Sequence, residues 1–401
     1  MPCLLFLVVI LCAALPGATA ATPADVAAVR ARIAALPGAS IELDAAGDVT
    51  EIVIPGGGRV TADDAALFGR LTALRKLHVL DCRSFDDAMV RQLAGLGRLE
   101  SLAITNGGIG DGAVAVIAEA FPGLVELDLS SNVNLTGAAM KSIASLRKLE
   151  RLGLMQTRFN DLHTRRLAKL QELRIVDLRG MMEAGDMTLG VLGWLPRLRA
   201  LKHRSSIVTD EGLADLAHSQ SLESLLIQDF AITDAAGRHL AALPRLTSLE
   251  ILRCQGFGSD GLMALEGLGK LSRLTLRDLP EVGDAGLAVL AKLPALERLS
   301  LRELSSVGDA GLAHVAAARS LEVLDIWSLP KLTDAAVAAL ARLPHLRELS
   351  IRETGATERS LDALAALPTL ESLSFRNGPV SPAVAARIKA AKAWKTLDLG
   401  D

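Results

Sequence analysis

Apolar residues recur along this chain in one phrase, L-x-x-L-x-L, with Val or Ile sometimes replacing a Leu. The phrase begins at Leu74, Leu99, Leu124, Leu149, Leu173, Leu198, Leu222, Leu246, Leu271, Leu296, Leu321, Leu346 and Leu370, and every step is 24 or 25 residues. Val49-Thr50-Glu51-Ile52-Val53-Ile54 opens the series 25 residues earlier, and Trp394 to Leu399 closes it 24 later, which predicts fifteen strands. The last two apolar positions of a phrase, such as Leu299 and Leu301, have strand spacing and point one way. A second phrase follows each strand: Val307-Gly308-Asp309-Ala310-Gly311-Leu312, Val282-Gly283-Asp284, Leu332-Thr333-Asp334, Ile232-Thr233-Asp234 and Val208-Thr209-Asp210. A small or hydroxyl residue followed by Asp predicts a helix start, where side-chain oxygens accept from orphan amides and a negative charge suits the helix N-terminus. Leu287, Leu290 and Leu293 then give one apolar helical stripe. Pro122, Pro196, Pro244, Pro294, Pro344 and Pro368 each stand two residues before a strand Leu, where proline ends a helix and extends the chain.

A unit of 25 residues cannot bury its own apolar face, so the units must stack. That explains how 401 residues form one array rather than two or three globules. It also fits a composition that is half apolar, only 3% aromatic and without Tyr: the core is made of many small, regular contacts. The series resembles the leucine-rich-repeat family, and most of all its cysteine-containing type, known from substrate-recognition subunits of ubiquitin ligases. The resemblance covers about residues 49–401. It rests on L-x-x-L-x-L, the T-D-x-G-L phrase, and a Cys at the ninth repeat position in two units, Cys82 and Cys254. Other units place Asn132, Thr157, Ser206, Leu279, Leu304 or Leu329 there, a departure from the subtype. The resemblance implies an α/β fold: a right-handed solenoid, or horseshoe, with a concave parallel sheet and convex helices. It implies protein binding and carries over no catalytic residue and no cofactor.

The chain divides accordingly. Residues 1–20 read as a signal peptide, with an apolar run from Leu4 to Leu15 and a small-x-small end at Ala18-Thr19-Ala20. Residues 21–48 read as an N-terminal cap. It comprises a helix from Thr22 to Leu36, capped by Thr22 with Pro23 in its first turn, then Ile41-Glu42-Leu43 and a turn at 45–48. Residues 49–401 form about fourteen repeats. Export to the periplasm or the outside follows, with no stable membrane span after cleavage. The last strand, Lys395 to Leu399, has no sequence after it to cover its edge. Either the final helix and strand cap the array themselves, or the edge pairs weakly with a second copy, as in a structural or adhesion protein that self-associates there.

Alternation places repeat positions 3, 5 and 7 on the open face of the sheet. Position 7 carries Arg277, Arg302, Trp327, Arg352 and Arg376, and Arg273 and Arg298 at position 3 thicken the row. Arg and Trp are enriched at binding hot spots, so these seven residues are the expected partner site, for a protein or peptide. The competing expectation is a solvated ladder in which each Arg pairs locally with a neighbour such as Asp278, Glu303 or Glu353. A net charge of −3 gives no general attraction for nucleic acid.

Other features carry less. The run Arg179 to Gly185, Gly190 and Gly193, Trp194 in the helix stripe, and His203 in a slot elsewhere held by Leu301 or Ile326 make the repeats at 173–221 irregular. They predict either a contact site or a degenerate repeat with a hydrogen-bonded His. The Asp series (Asp210, Asp234, Asp260, Asp284, Asp309, Asp334) supplies one oxygen-bearing side chain per unit, too few for calcium and explained by helix capping. Cys82 and Cys254 lie seven repeats apart, on the order of 30 Å at strand spacing, which excludes a disulfide. No Ser-His-Asp or Cys-His motif is visible, so neither catalytic nor metal-binding residues are expected. An intracellular ubiquitin-ligase adaptor would need a further domain, and an export signal argues against it.

Overall fold

The computed structural model describes residues 21–56 and 59–400. The leader, with Cys3 and Cys12, lies outside the described residues. Among these, sixteen strands form one sheet in strict chain order. The first, Ser40–Leu43, runs antiparallel to Val49–Ile54. Every later neighbour pair is parallel, from Val49–Ile54 beside Lys76–Val79 to Ser372–Arg376 beside Thr396–Asp398. A short helix follows nearly every strand and packs on its successor, so the molecule has two layers with one continuous core between them. The phrase-opening residues Leu271, Leu296, Leu321 and Leu346 are fully buried in that core.

The strands show the alternation that the sequence requires. In Arg273–Arg277, Arg298–Arg302 and Glu348–Arg352, positions 4 and 6 are buried and positions 3, 5 and 7 are not. Register is fixed because a one-residue slip would turn every Leu outward. Leu274, Leu299, Leu324 and Leu349 are direct partners in successive strands.

Repeat position 8 has a backbone rule of its own. Every non-glycine residue with positive φ among the described residues falls there: Asp81, Asn106, Ser131, Gln156, Asp229, Arg253, Asp278, Glu303, Ser328 and Glu353. The left-handed turn redirects the chain from sheet to helix. Its cost is offset because the same N–H continues the ladder, as when Glu303 donates to the Trp327 carbonyl at 2.8 Å. In the segment 179–185, Gly180 takes this conformation and Met181 is buried behind it, so the irregular sequence follows the regular path.

Three expectations are corrected. The ninth-position slot of the repeat at 198 belongs to Ser205, not Ser206: Ser205 is buried and Ser206 is exposed. The reason is that Ser205 lacks the left-handed turn, so the chain reaches the core one residue earlier. Trp194 does not join the helix stripe; it caps the helix Asp186–Gly193, is 70% exposed, and stacks on His218 with centroids 4.8 Å apart.

The third correction concerns the Asp series. The N-caps before Asp210, Asp334, Asp284 and Asp309 are Thr209, Thr333, Gly283 and Gly308. The acidic residue after the cap reaches across to the next repeat instead. Asp186 accepts from Thr209 N–H at 2.8 Å, Asp210 from Thr233 at 3.0 Å, Asp234 from Gly258 at 2.7 Å, Asp284 from Gly308 at 2.7 Å, and Asp334 from Thr357 at 2.6 Å. Asp260 stands outside this series; Ser259 fills its place, with Oγ accepting from Gly283 at 2.9 Å. These carboxylates are staples between units.

Candidate functional site

The repeat length brings position 7 of consecutive units side by side. Arg277, Arg302, Trp327, Arg352 and Arg376 are consecutive register partners, one strand spacing apart. Side chains stacked so closely must either repel or find counterions.

Trp327 sits at the centre. The guanidinium carbons of Arg277 and Arg352 lie 5.5 and 5.6 Å from its ring centroid, within cation–π range. Glu303 fixes Arg277 through two bonds of 3.1 Å, from Nε and Nη2. Asp325 does more. It accepts from Arg302 Nη2 at 2.8 Å and Nε at 3.0 Å, from Ser300 Oγ at 2.9 Å, and from Arg352 Nη2 at 3.3 Å. Partial burial works against its charge, but the Ser300 hydroxyl and the two guanidiniums outweigh that and hold its carboxyl below the ordinary range. Arg352 Nε is buried with no hydrogen-bond partner.

Four of the seven expected residues, Arg277, Arg302, Trp327 and Arg352, are therefore joined in one cluster. Arg376 belongs to a neighbouring arrangement: its Nε donates to Asp398 Oδ2 at 2.7 Å. Arg273 and Arg298 stand together at the other end of the strands and are exposed. Most of the counterions are not those expected from sequence. Glu303 is one, but Asp278 and Glu353 make no ion pair among the described residues, and Asp325 and Asp398 take the remaining arginines. The missed signal was position 5, which faces the same side and carries Asp in both units.

A second knot, absent from the sequence reading, lies further along the sheet. Asp229 accepts from Arg204 Nε at 2.5 Å and from Arg253 Nε at 2.7 Å, bridging two strands that are not neighbours. Burial raises its pKa, but Arg253 and Arg204 together bring it below the ordinary value.

The arrangement nearest to catalytic chemistry spans three early strands. His78 Nε2 lies 2.7 Å from Ser101 Oγ, which donates to Glu126 Oε2 at 2.9 Å. In a Ser-His-acid triad the acid orients the histidine; here it binds the serine instead. No group of three metal-ligating side chains occurs among the described residues. Cys254 is buried, which pushes its thiol up to about 12, out of the nucleophilic range.

Among the described residues no helix is long and apolar enough to cross a membrane. A hollow of about 620 Å³ lies where strands begin, lined by Leu290, Leu293, Pro294, Ala318, Arg319 and Glu322 among others. A smaller one of about 200 Å³ is on the open face, over Asp325, Ser350 and Ser374.

A family described as leucine-rich repeat region matches residues 110–397. No curated protein matches the chain in sequence. Solved structures do match. An internalin of Listeria monocytogenes is 21% identical, with 88% of this chain and 96% of that one covered, at a TM-score of 0.58. TLR13, in a complex with ssRNA13, is 18% identical over 87% of this chain and 52% of its own, at 0.61. Yeast Rad7, in a complex with Elc1, is 18% identical over 79% and 88%, at 0.54. At these identities the likeness establishes the shared fold.

Proposed function

This chain belongs to the leucine-rich-repeat family, and from that premise we propose that it is a non-catalytic binding protein whose partner, a protein or peptide, docks on the open face of the sheet. Leucine-rich-repeat folds serve generally in protein–protein interaction. One observation carries the choice of face: Arg277, Arg302, Trp327 and Arg352, drawn from four repeats, are locked into one cluster by Glu303 and Asp325. Pre-ordered Arg and Trp side chains lose little rotamer freedom on binding, which favours them as anchors. Among the structural neighbours, TLR13 is in a complex with an RNA and Rad7 in a complex with a protein. The near-neutral charge of this chain and the counterion beside each clustered arginine favour a protein partner here.

Residues 1–20 direct the chain out of the cytoplasm and are removed, residues 21–48 cap the array, and 49–401 form the binding domain. N-terminal sequencing of protein recovered from its native compartment tests the cleavage. Photo-crosslinking tests the face. A benzoylphenylalanine at Thr275 or Ser350 on the sheet should yield partner adducts, and one at Ala313 on the helix layer should not. Adducts only from Ala313 would overturn the assignment.

A further inference from the structure

The six arginines of the site fall into two classes. Arg277, Arg302, Arg352 and Arg376 are each held by a carboxylate. Arg273 and Arg298 have no carboxylate within 4.0 Å among the described residues; Arg273 makes one long contact, Nε to Ser248 Oγ at 3.4 Å. Yet these two are direct register partners on adjacent strands, about 4.8 Å apart along the sheet. Two neighbouring guanidiniums with no counterion form an open site for one carboxylate, which can accept from both.

Their surroundings define the rest. Thr275 and Ser300, the next outward residues, are short, so nothing bulky separates the free pair from Arg277, Arg302 and Trp327. The span from position 3 to position 7 is four residues, roughly 13 Å, the reach of an extended segment of about five residues. On the same face Glu250 stands one strand from Arg273 and Glu348 two strands from Arg298, and neither is ion-paired among the described residues. Counting this face from Arg273 to Asp398, Arg273, Arg277, Arg298, Arg302, Arg352 and Arg376 are balanced by Asp278, Glu303, Asp325, Glu348, Glu353 and Asp398. A polyanion gains nothing from a face with no net charge, whereas a single carboxylate aimed at the free pair does.

We propose that the partner offers an extended segment with one Asp or Glu whose carboxylate bridges Arg273 and Arg298, while a residue about four positions away along it packs against the Trp327 cluster. The proposal rests on the open-face function above and names the chemistry of its ligand. In it, Arg273 and Arg298 supply the recognition charge, and Arg277 and Arg352 hold Trp327 in place.

The test is selection from a randomised nine-residue peptide display library on the full chain, followed by affinity measurement of the selected peptides. The expected result is a family with an invariant acidic position and an apolar or aromatic residue about four away. Replacing its Asp or Glu by Asn or Gln should weaken binding about tenfold or more, as loss of a charge-assisted pair does. R273Q combined with R298Q should cause the same loss with an unchanged melting temperature. Peptides that need Trp327 but no acidic residue would overturn this proposal and leave the open-face function standing. Peptides indifferent to W327A and to R273Q/R298Q, or no enriched family at all, would overturn both. A twenty-nucleotide single-stranded DNA that binds as tightly, through the same two arginines, would replace carboxylate by phosphate and also overturn it.

Discussion

Asp309 and Thr333 belong to successive repeats and are joined by two bonds: Oδ1 accepts the Thr333 backbone N–H at 2.8 Å, and Oδ2 accepts its hydroxyl at 2.6 Å. Thr333 in turn caps its own helix through Ala335 N–H. One carboxylate thus couples the helix start of one unit to that of the next, and the pattern recurs along the array. D309A is expected to cost about 1–2 kcal/mol, since an orphaned amide and a lost charge-assisted bond both count against the fold. T333A should cost less. In a double-mutant cycle by urea unfolding, the two should couple rather than add. Strict additivity would show that the staple contributes nothing.

His203 makes stability depend on pH. It is fully buried, with Nδ1 3.1 Å from the Leu178 carbonyl and Nε2 3.0 Å from that of Ala184. A neutral ring can donate to only one of them. Burial holds its pKa below the ordinary histidine value, although both carbonyls pull the other way. The unfolded chain then takes up a proton that the folded chain refuses. Stability should fall as pH drops below about 6.5, the unfolded value, and level off beneath the folded pKa. H203L, which restores the residue type of Leu301 at this slot, should flatten the slope of the urea midpoint between pH 7.5 and pH 5. His78, also lowered mainly by burial, leaves a smaller slope of the same sign in the variant. Equal slopes in both proteins would exclude His203 as the source.

These two sites show where sequence carries structure and where it does not. Leucine spacing determined the strands, their order and the outward set, because a period of two admits one register against a buried face. The arginine row was legible for the same reason. Its counterions were not: a charged side chain about 6 Å long can reach position 5 or position 8 of the next unit, and only the packed geometry shows that Arg277 takes Glu303 at position 8 while Arg302 takes Asp325 at position 5. The Asp staples were misassigned because an acidic residue after a hydroxyl residue satisfies the rule for a helix start whether its oxygens turn to its own helix or to the next unit. Gly193 counts in the sequence only as part of an irregular repeat, yet a Cβ there would lie 2.6 Å from the Asp215 carbonyl oxygen. Its lack of a side chain lets two helices approach, a tertiary demand with no local signature.

Ala318 occupies a column that holds Leu268, Leu293, Leu343 and Leu367 in the neighbouring repeats, each three residues before a strand Leu. The hollow of about 620 Å³ lies against it. A318L should fill part of that space without forcing its neighbours, and a gain of roughly 0.5–2 kcal/mol is expected for such filling. A raised thermal midpoint with unchanged peptide binding on the open face is the expected pair of results. A lowered midpoint would mean that the walls cannot accommodate the larger residue.

Asp325 is the residue on which the order of the binding cluster depends. Its carboxylate is 19% exposed and serves Arg302 and Arg352 at once, with Ser300 as a third donor. Removing either arginine leaves the other paired. Removing Asp325 leaves two cations beside Trp327 with no counterion, and Arg352, whose Nε is already without a partner, loses its one ion pair among the described residues. D325A should therefore destabilise more than R302A or R352A alone. The pairwise coupling of Asp325 to each arginine should be about 1 kcal/mol or less, since both guanidiniums are more than a third exposed and water screens them. The binding of selected peptides should respond more strongly than stability does, because the variant frees Arg352, one of the two guanidiniums against the Trp327 ring. Trp327 fluorescence quenching by iodide checks this directly: D325A should increase it relative to the parent chain, while D278A, a carboxylate on the same face with no arginine to hold, should leave it unchanged.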